Sequence, residues 1–111
     1  MLHARVGDLA RDLGAIDEAI RRQTEATELA PDVASYWNSL GMTLGGNSRP
    51  AEAERAFRQA TRLDDKHSRY AYNLGLILLR QGRSAEARPW FEKTLALDPT
   101  FAPARDRLAG R

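Results

Sequence analysis

Three glycines constrain the fold more than any other feature of the chain. Gly7, Gly41 and Gly75 stand at one fixed interval, each preceded by an aliphatic residue, Val6, Leu40 and Leu74. The same shift aligns Glu18-Ala19 with Glu52-Ala53 and Glu86-Ala87, and Leu29 with Leu63 and Leu97. It also pairs Pro31 with Pro99, where the middle copy has Asp65, and Gly14 with Gly82, where the middle copy has Ser48. No insertion or deletion breaks the register across three copies. A fixed period of this size, about 34 residues, marks a chain assembled from stacked supersecondary units, each contacting mainly its neighbours.

Within a copy the pattern is two amphipathic helices. In the third, Tyr70, Leu74 and Leu78 recur at intervals of four, and Ala87, Phe91 and Leu95 do the same in its second half, so each set forms one helical stripe. Gln81-Gly82-Arg83 separates the halves, and Leu97-Asp98-Pro99 ends the second, because proline lacks an amide proton and keeps its predecessor out of helical geometry. Pro50 falls in the first turn of the middle copy's second helix, where a missing amide proton costs little. The reading predicts a break between two helices in every copy. Gly45 and Gly46 are expected to end the middle copy's first helix early and to form its turn with Asn47. Pro89, inside a predicted helix, is expected to bend it and tilt Trp90 toward the tail. Helices of about 12–15 residues are marginal alone, so stability has to come from stacking.

The recurring small residues then have a packing role. The glycines, with Ala19, Ala53 and Ala87, mark where two helices approach most closely, and Phe57 and Phe91 fill the adjoining gaps. The middle copy reads Trp37-x2-Leu40-Gly41-x2-Leu44 and then Ala53-x3-Phe57. The third reads Asn73-Leu74-Gly75, Glu86-Ala87-x3-Phe91 and Leu97-Asp98-Pro99. This spacing resembles the tetratricopeptide repeat, with its Trp-x2-Leu-Gly-x2-Tyr, Ala-x3-Phe and Pro signature. Gln23 in the first copy, Asp65 in the second and Ala71 in the third depart from the pattern. The resemblance implies an all-α chain, a right-handed α-solenoid of helix-turn-helix repeats at about 1–33, 34–67 and 68–101, with a capping helix over 102–111.

Composition narrows the function. The 111 residues are 42% apolar and 29% charged, which suits one domain, and no window carries the roughly 18 consecutive apolar residues of a membrane span. With no cysteine the chain has no disulfide framework, thiolate metal site or catalytic thiol. The first residues lack a basic stretch leading into an apolar one, so the expectation is a cytoplasmic protein without membrane insertion. The net charge of +2 divides unevenly, from −3 over residues 1–33 through +1 over 34–67 to +4 over 68–111. Despite a pI near 9.4, acidic residues are interspersed and no basic run of five exists, which argues against nucleic acid. His3 and His67 are far apart and no histidine pair has ligand spacing, so no metal or other cofactor is expected. Gly41-x3-Gly45-Gly46 follows no strand and precedes no Gly-Lys-Ser/Thr, so it is not a phosphate loop. The recurring Glu18, Glu52 and Glu86 reflect a helix-start preference rather than catalysis. No enzyme is expected.

The resemblance places a peptide or protein ligand on the concave face, lined by the first helix of each repeat. Residues outside the packing stripe supply the candidates: Asn38 and Met42, with Gly45, in the middle copy; Arg69, Tyr72, Asn73, Leu76 and Arg80, with Leu79, in the third; Ala4, Asp8 and Arg11 in the first. Asparagine offers a donor and an acceptor to a peptide backbone, and arginine takes a carboxylate. Relatives that clamp the acidic end of heat-shock chaperones use basic and amide columns that here hold Ala4, Asp8, Ser39, Arg69 and Asn73. Only Arg69 keeps the positive charge, which argues against that clamp. Trp90 and Phe101 are expected to be covered by the tail through Leu108, the alternative being an exposed self-association patch. Self-association into a scaffold, and a module cut from a larger protein, are the other readings.

Overall fold

The computed structural model describes the backbone of residues 2–110 and the side chains of residues 14–110. It contains α1 (Leu2–Leu29), α2 (Ala34–Gly46), α3 (Pro50–Leu63), α4 (Ser68–Arg80), α5 (Ser84–Leu97) and α6 (Ala102–Leu108), with no strand among the described residues. The period is written directly in these bounds. Both ends of α4 follow those of α2 by the interval that separates the glycines, and both ends of α5 follow those of α3 by the same interval. Successive helices pack antiparallel as a right-handed α-solenoid, each on the next, and α2 also meets α4. The chain is extended accordingly, at 48 × 36 × 23 Å, with a radius of gyration of 15.8 Å against about 13 Å for a compact chain of this length.

Two of the three expected hairpins form. At the second, Gly82 takes φ 75°, its N–H bonds the Leu79 carbonyl at 2.9 Å, and the Arg83 N–H reaches back to the Leu78 carbonyl at 3.0 Å. This pairing satisfies carbonyls that the end of a helix leaves open, and it needs a left-handed residue. At the first hairpin that residue is Ser48, at φ 62°, with the Arg49 N–H bonded to the Leu44 carbonyl at 3.0 Å. Gly45 and Gly46 are therefore helical, and α2 is not cut short. Its 13 residues equal those of α4. Pro50 occupies the first turn of α3, where the sequence places it.

The first copy departs from expectation: α1 runs unbroken for 28 residues through Gly14, where the period calls for a turn. The difference lies in what flanks the glycine. Ser48 is set between Asn47 and Arg49-Pro50, whereas Gly14 is followed by Ala15 and Ile16, which continue a helix readily. One glycine costs a helix only about 1 kcal/mol, which the added helical hydrogen bonds can offset.

The close approaches appear where the small residues recur. A methyl added at Gly41 would lie 2.6 Å from the Phe57 ring, and one at Gly75 2.8 Å from that of Phe91. Ala53 and Ala87 are fully buried beside them. The core is a row of such contacts, with Leu40, Leu44, Leu74, Ile77 and Leu78 forming one band along the stack. Pro89 does not interrupt α5. Trp90 lines an opening with Arg58, Thr61 and Arg62 of α3. Phe101 is half-buried against Tyr72, and α6 adds the fully buried Ala104.

Candidate functional site

The seam between α2 and α4 holds a concave cleft of about 180 Å³. Its walls bring together Met42, Asn73, Leu76 and Arg80, with Gly45 and Ile77 at its base. The cleft exists because α2 ends in glycines where α4 has Leu79 and Arg80. A methyl on Gly45 would already sit 3.2 Å from Ile77 Cδ1. Met42 is 56% exposed and supplies an open apolar wall to the cleft.

Polar groups fix the cleft's edges. Asn73 Nδ2 donates to Asn38 Oδ1 at 2.9 Å across the seam, and Asn38 Nδ2 points to Met42 Sδ at 3.5 Å. The pair locks both amides and leaves Asn73 Oδ1 as an open acceptor. Arg80 donates to the Gly45 carbonyl at 3.4 Å. That contact places its charge at the C-terminal end of α2, a favourable position against the helix dipole, with the other N–H groups open to solvent.

Arg69 and Tyr72 occupy a different seam. Tyr72 is buried, its ring 5.0 Å from that of Phe101 and 5.7 Å from that of Phe91, and the Arg69 guanidinium lies 5.4 Å from the centre of the Phe101 ring. These residues dock α6 on α4. Arg69 and Arg80 are well apart on one helix, about 16 Å at roughly 1.5 Å of rise per residue, so no single carboxylate spans them. The first copy's Ala4, Asp8 and Arg11 lie outside the described side chains, as do His3 and Gly7.

One polar centre was not foreseen in the sequence. Glu54 on α3, 14% exposed, accepts from Arg58 Nε at 2.9 Å, from Arg83 at 2.6 Å and from Gln81 Nε2 at 3.0 Å. Burial pushes its carboxyl up, but the bonds from Gln81, Arg58 and Arg83 outweigh it and hold the pKa below its ordinary value. Arg83 also grips Glu86, at 2.6 and 3.1 Å. The signal was a break in the period, since the position reads Ile20, Glu54 and Arg88 in successive copies. This cluster joins α3 to the α4–α5 turn, and none of its members lines the α2–α4 cleft. His67, at the start of α4, stacks on Tyr70 with ring centres 3.7 Å apart. Among the described residues no group of three or more His, Asp or Glu side chains gathers to hold a metal ion, and no helix is long and apolar enough to cross a membrane.

The sequence profile described as Tetratricopeptide repeat matches residues 39–100, more than half of the chain. No curated protein sequence matches it. Among solved structures, the chain is similar to YrrB, a TPR protein with an unusual peptide-binding site, at 21% identity and a TM-score of 0.80 over 93% of this chain and 53% of that one. It is similar to the first TPR of Spaghetti (RPAP3), bound to the HSP90 peptide SRMEEVD, at 21% identity and a TM-score of 0.82 over 94% and 82%. The O-GlcNAc transferase of Thermobaculum terrenum matches at 26% identity and a TM-score of 0.76, over 91% of this chain and 19% of that one. The chain thus spans about half the length of YrrB and a fifth of the transferase. With helices that recur at the interval of the glycines, Gly41 and Gly75 pressed against Phe57 and Phe91, and a profile match from within α2 through the end of α5, the chain belongs to the tetratricopeptide repeat family.

Proposed function

We propose that this chain is a non-catalytic interaction module that takes an extended or helical segment of a partner protein in its concave groove. The observation that carries the reading is the α2–α4 cleft, where exposed Met42 and half-buried Leu76 adjoin the open Asn73 carbonyl and the Arg80 guanidinium. Apolar walls with a few convergent polar groups are what a ligand site requires. An aliphatic side chain fits between Met42 and Leu76, a backbone N–H can donate to Asn73, and a carboxylate can pair with Arg80. Peptide recognition by YrrB and by the Spaghetti domain agrees with this reading. The affinity is expected to be micromolar, about −8 kcal/mol, because a few contacts must offset the ordering of the ligand.

The test is selection of peptides from a phage-displayed random library on the intact chain. Selected peptides are expected to carry an aliphatic residue near a carboxylate and to bind Arg80→Glu and Leu76→Asp much more weakly, with the helical circular dichroism unchanged. Equal binding to both variants would overturn the assignment. Tyr72 is a poor probe of the groove, because its ring supports α6.

A further inference from the structure

A cleft larger than the concave one lies off the α2–α4 seam. Between α2 and α3 lies an opening of about 480 Å³ whose floor is Trp37, Leu40, Leu44 and Ala56. Its rim carries Arg55, Arg58 and Arg62, three guanidinium groups on successive turns of α3. We propose that this cleft is a second docking site, and that its occupant is an acidic segment of a partner protein anchored by one aromatic side chain.

The repeat itself shows what the slot takes. Ala56 corresponds, one period on, to Trp90, which lines a smaller opening of its own, about 200 Å³, with Arg58, Thr61 and Arg62 of α3. The indole of the middle copy sits instead on α2, at Trp37, where α4 has Ala71. Trp37 ties its Nε1–H to the Pro31 carbonyl at 2.9 Å, which holds its ring at one side of the opening. Where the next copy carries an indole, this one has only the methyl of Ala56, and the opening beside it is the roomier of the two, about 480 against 200 Å³. The concave cleft, at about 180 Å³, has far less room for an aromatic group.

Charge decides the rest of the occupant. Arg55 has no ion-pair or hydrogen-bond partner among the described residues, and Arg62 bonds only the neutral Gln59, at 2.7 Å. Arg58 shares Glu54 with Arg83. The acidic residue on the rim, Glu52, already faces Arg49 at 3.6 Å. The rim therefore presents unbalanced positive charge around an apolar floor, and carboxylates flanking an aromatic ring complement both. Among the described residues α1 contributes nothing to the cleft walls, although it packs on α2.

The probe is a fluorescein-labelled peptide of sequence Glu-Asp-Trp-Asp-Glu, titrated with the intact chain and followed by anisotropy. Binding is expected, weakening as salt rises, and lost when the peptide tryptophan is replaced by alanine. Arg55→Glu with Arg62→Glu, both on exposed side chains, is expected to weaken it at least about tenfold, and Ala56→Trp, which supplies the missing ring, to do the same. Arg80→Glu is expected to leave it unchanged, which separates this site from the concave groove. No binding to the native chain, equal binding to the Arg55/Arg62 double variant, or loss in Arg80→Glu alone would each overturn the proposal. So would a native dimer that the double variant dissociates, which would make a second copy the occupant.

Discussion

At the residue scale, equivalent positions do the same work with different side chains, and the differences set measurable signs. Ser48 and Gly82 both close a hairpin in the left-handed region, at φ 62° and 75°. Only glycine does so without steric cost. Ser48→Gly should therefore raise stability by about 0.5 kcal/mol, the relief of strain exceeding the extra freedom of the unfolded chain, while Gly82→Ala should lower it by about 1 kcal/mol. Urea unfolding of the two variants checks both. A gain in both, or a loss in both, would contradict the turn assignment. The concave cleft was partly legible at this scale. Helical spacing puts Asn73, Leu76 and Arg80 on one side of α4, the period aligns Met42 with Leu76, and the four do share a cleft. Tyr72 and Arg69 share that spacing but are drawn to Phe101 by the docking of α6, a tertiary event that no local pattern encodes.

At the element scale, the straight α1 and the linked α3–α5 seam each make a prediction. Gly14 is exposed in mid-helix, with nothing within 4 Å of a methyl placed there. Gly14→Ala should stabilise the chain by about 1 kcal/mol and raise its helical signal, since alanine favours helix interiors and meets no obstacle. Destabilisation of similar size would mean that residue 14 is a left-handed turn, as in the other copies. The bounds of α3, α4 and α5 could be anticipated from Pro50, Gln81-Gly82-Arg83 and Leu97-Asp98-Pro99, whereas the end of α2 could not, because Ser48 and not the glycine pair makes its turn. Those of α1 could not, because the first copy keeps the glycine and loses the residues that make it a turn.

The Glu54 cluster predicts acid sensitivity. A carboxyl whose pKa falls on folding adds stability above its unfolded value, ordinarily near 4.5, and loses it as pH drops through the lower folded value. The native chain should thus lose stability below about pH 4.5, and Glu54→Gln should show a flatter profile there while being less stable at neutral pH. Thermal unfolding across that range is the check, and superimposable profiles would remove Glu54 as a contributor.

At the scale of the whole molecule, stability and recognition come from the same device. A single repeat unit cannot bury its apolar stripe alone, so neighbours bury it in turn, and the seams between them are both core and candidate site. Apolar volume moves between helices from one copy to the next, Trp37 with Ala56 giving way to Ala71 with Trp90, and each seam therefore has its own surface. That exchange is invisible within one copy and emerges only when copies are compared for size and charge. The charge gradient runs the same way, along a molecule 48 Å in its longest dimension, so the basic third copy and the acidic first present different fields to a partner.

The most direct test of the account is backbone amide chemical-shift mapping of the nitrogen-labelled chain, titrated with a peptide selected from the random library. The largest changes are expected on Met42, Asn73, Leu76 and Arg80, with α5 and the arginines of α3 little changed. Changes spread evenly, or centred on Arg55, Arg58 and Arg62 for a peptide that carries an aliphatic and no aromatic residue, would contradict the concave-groove assignment.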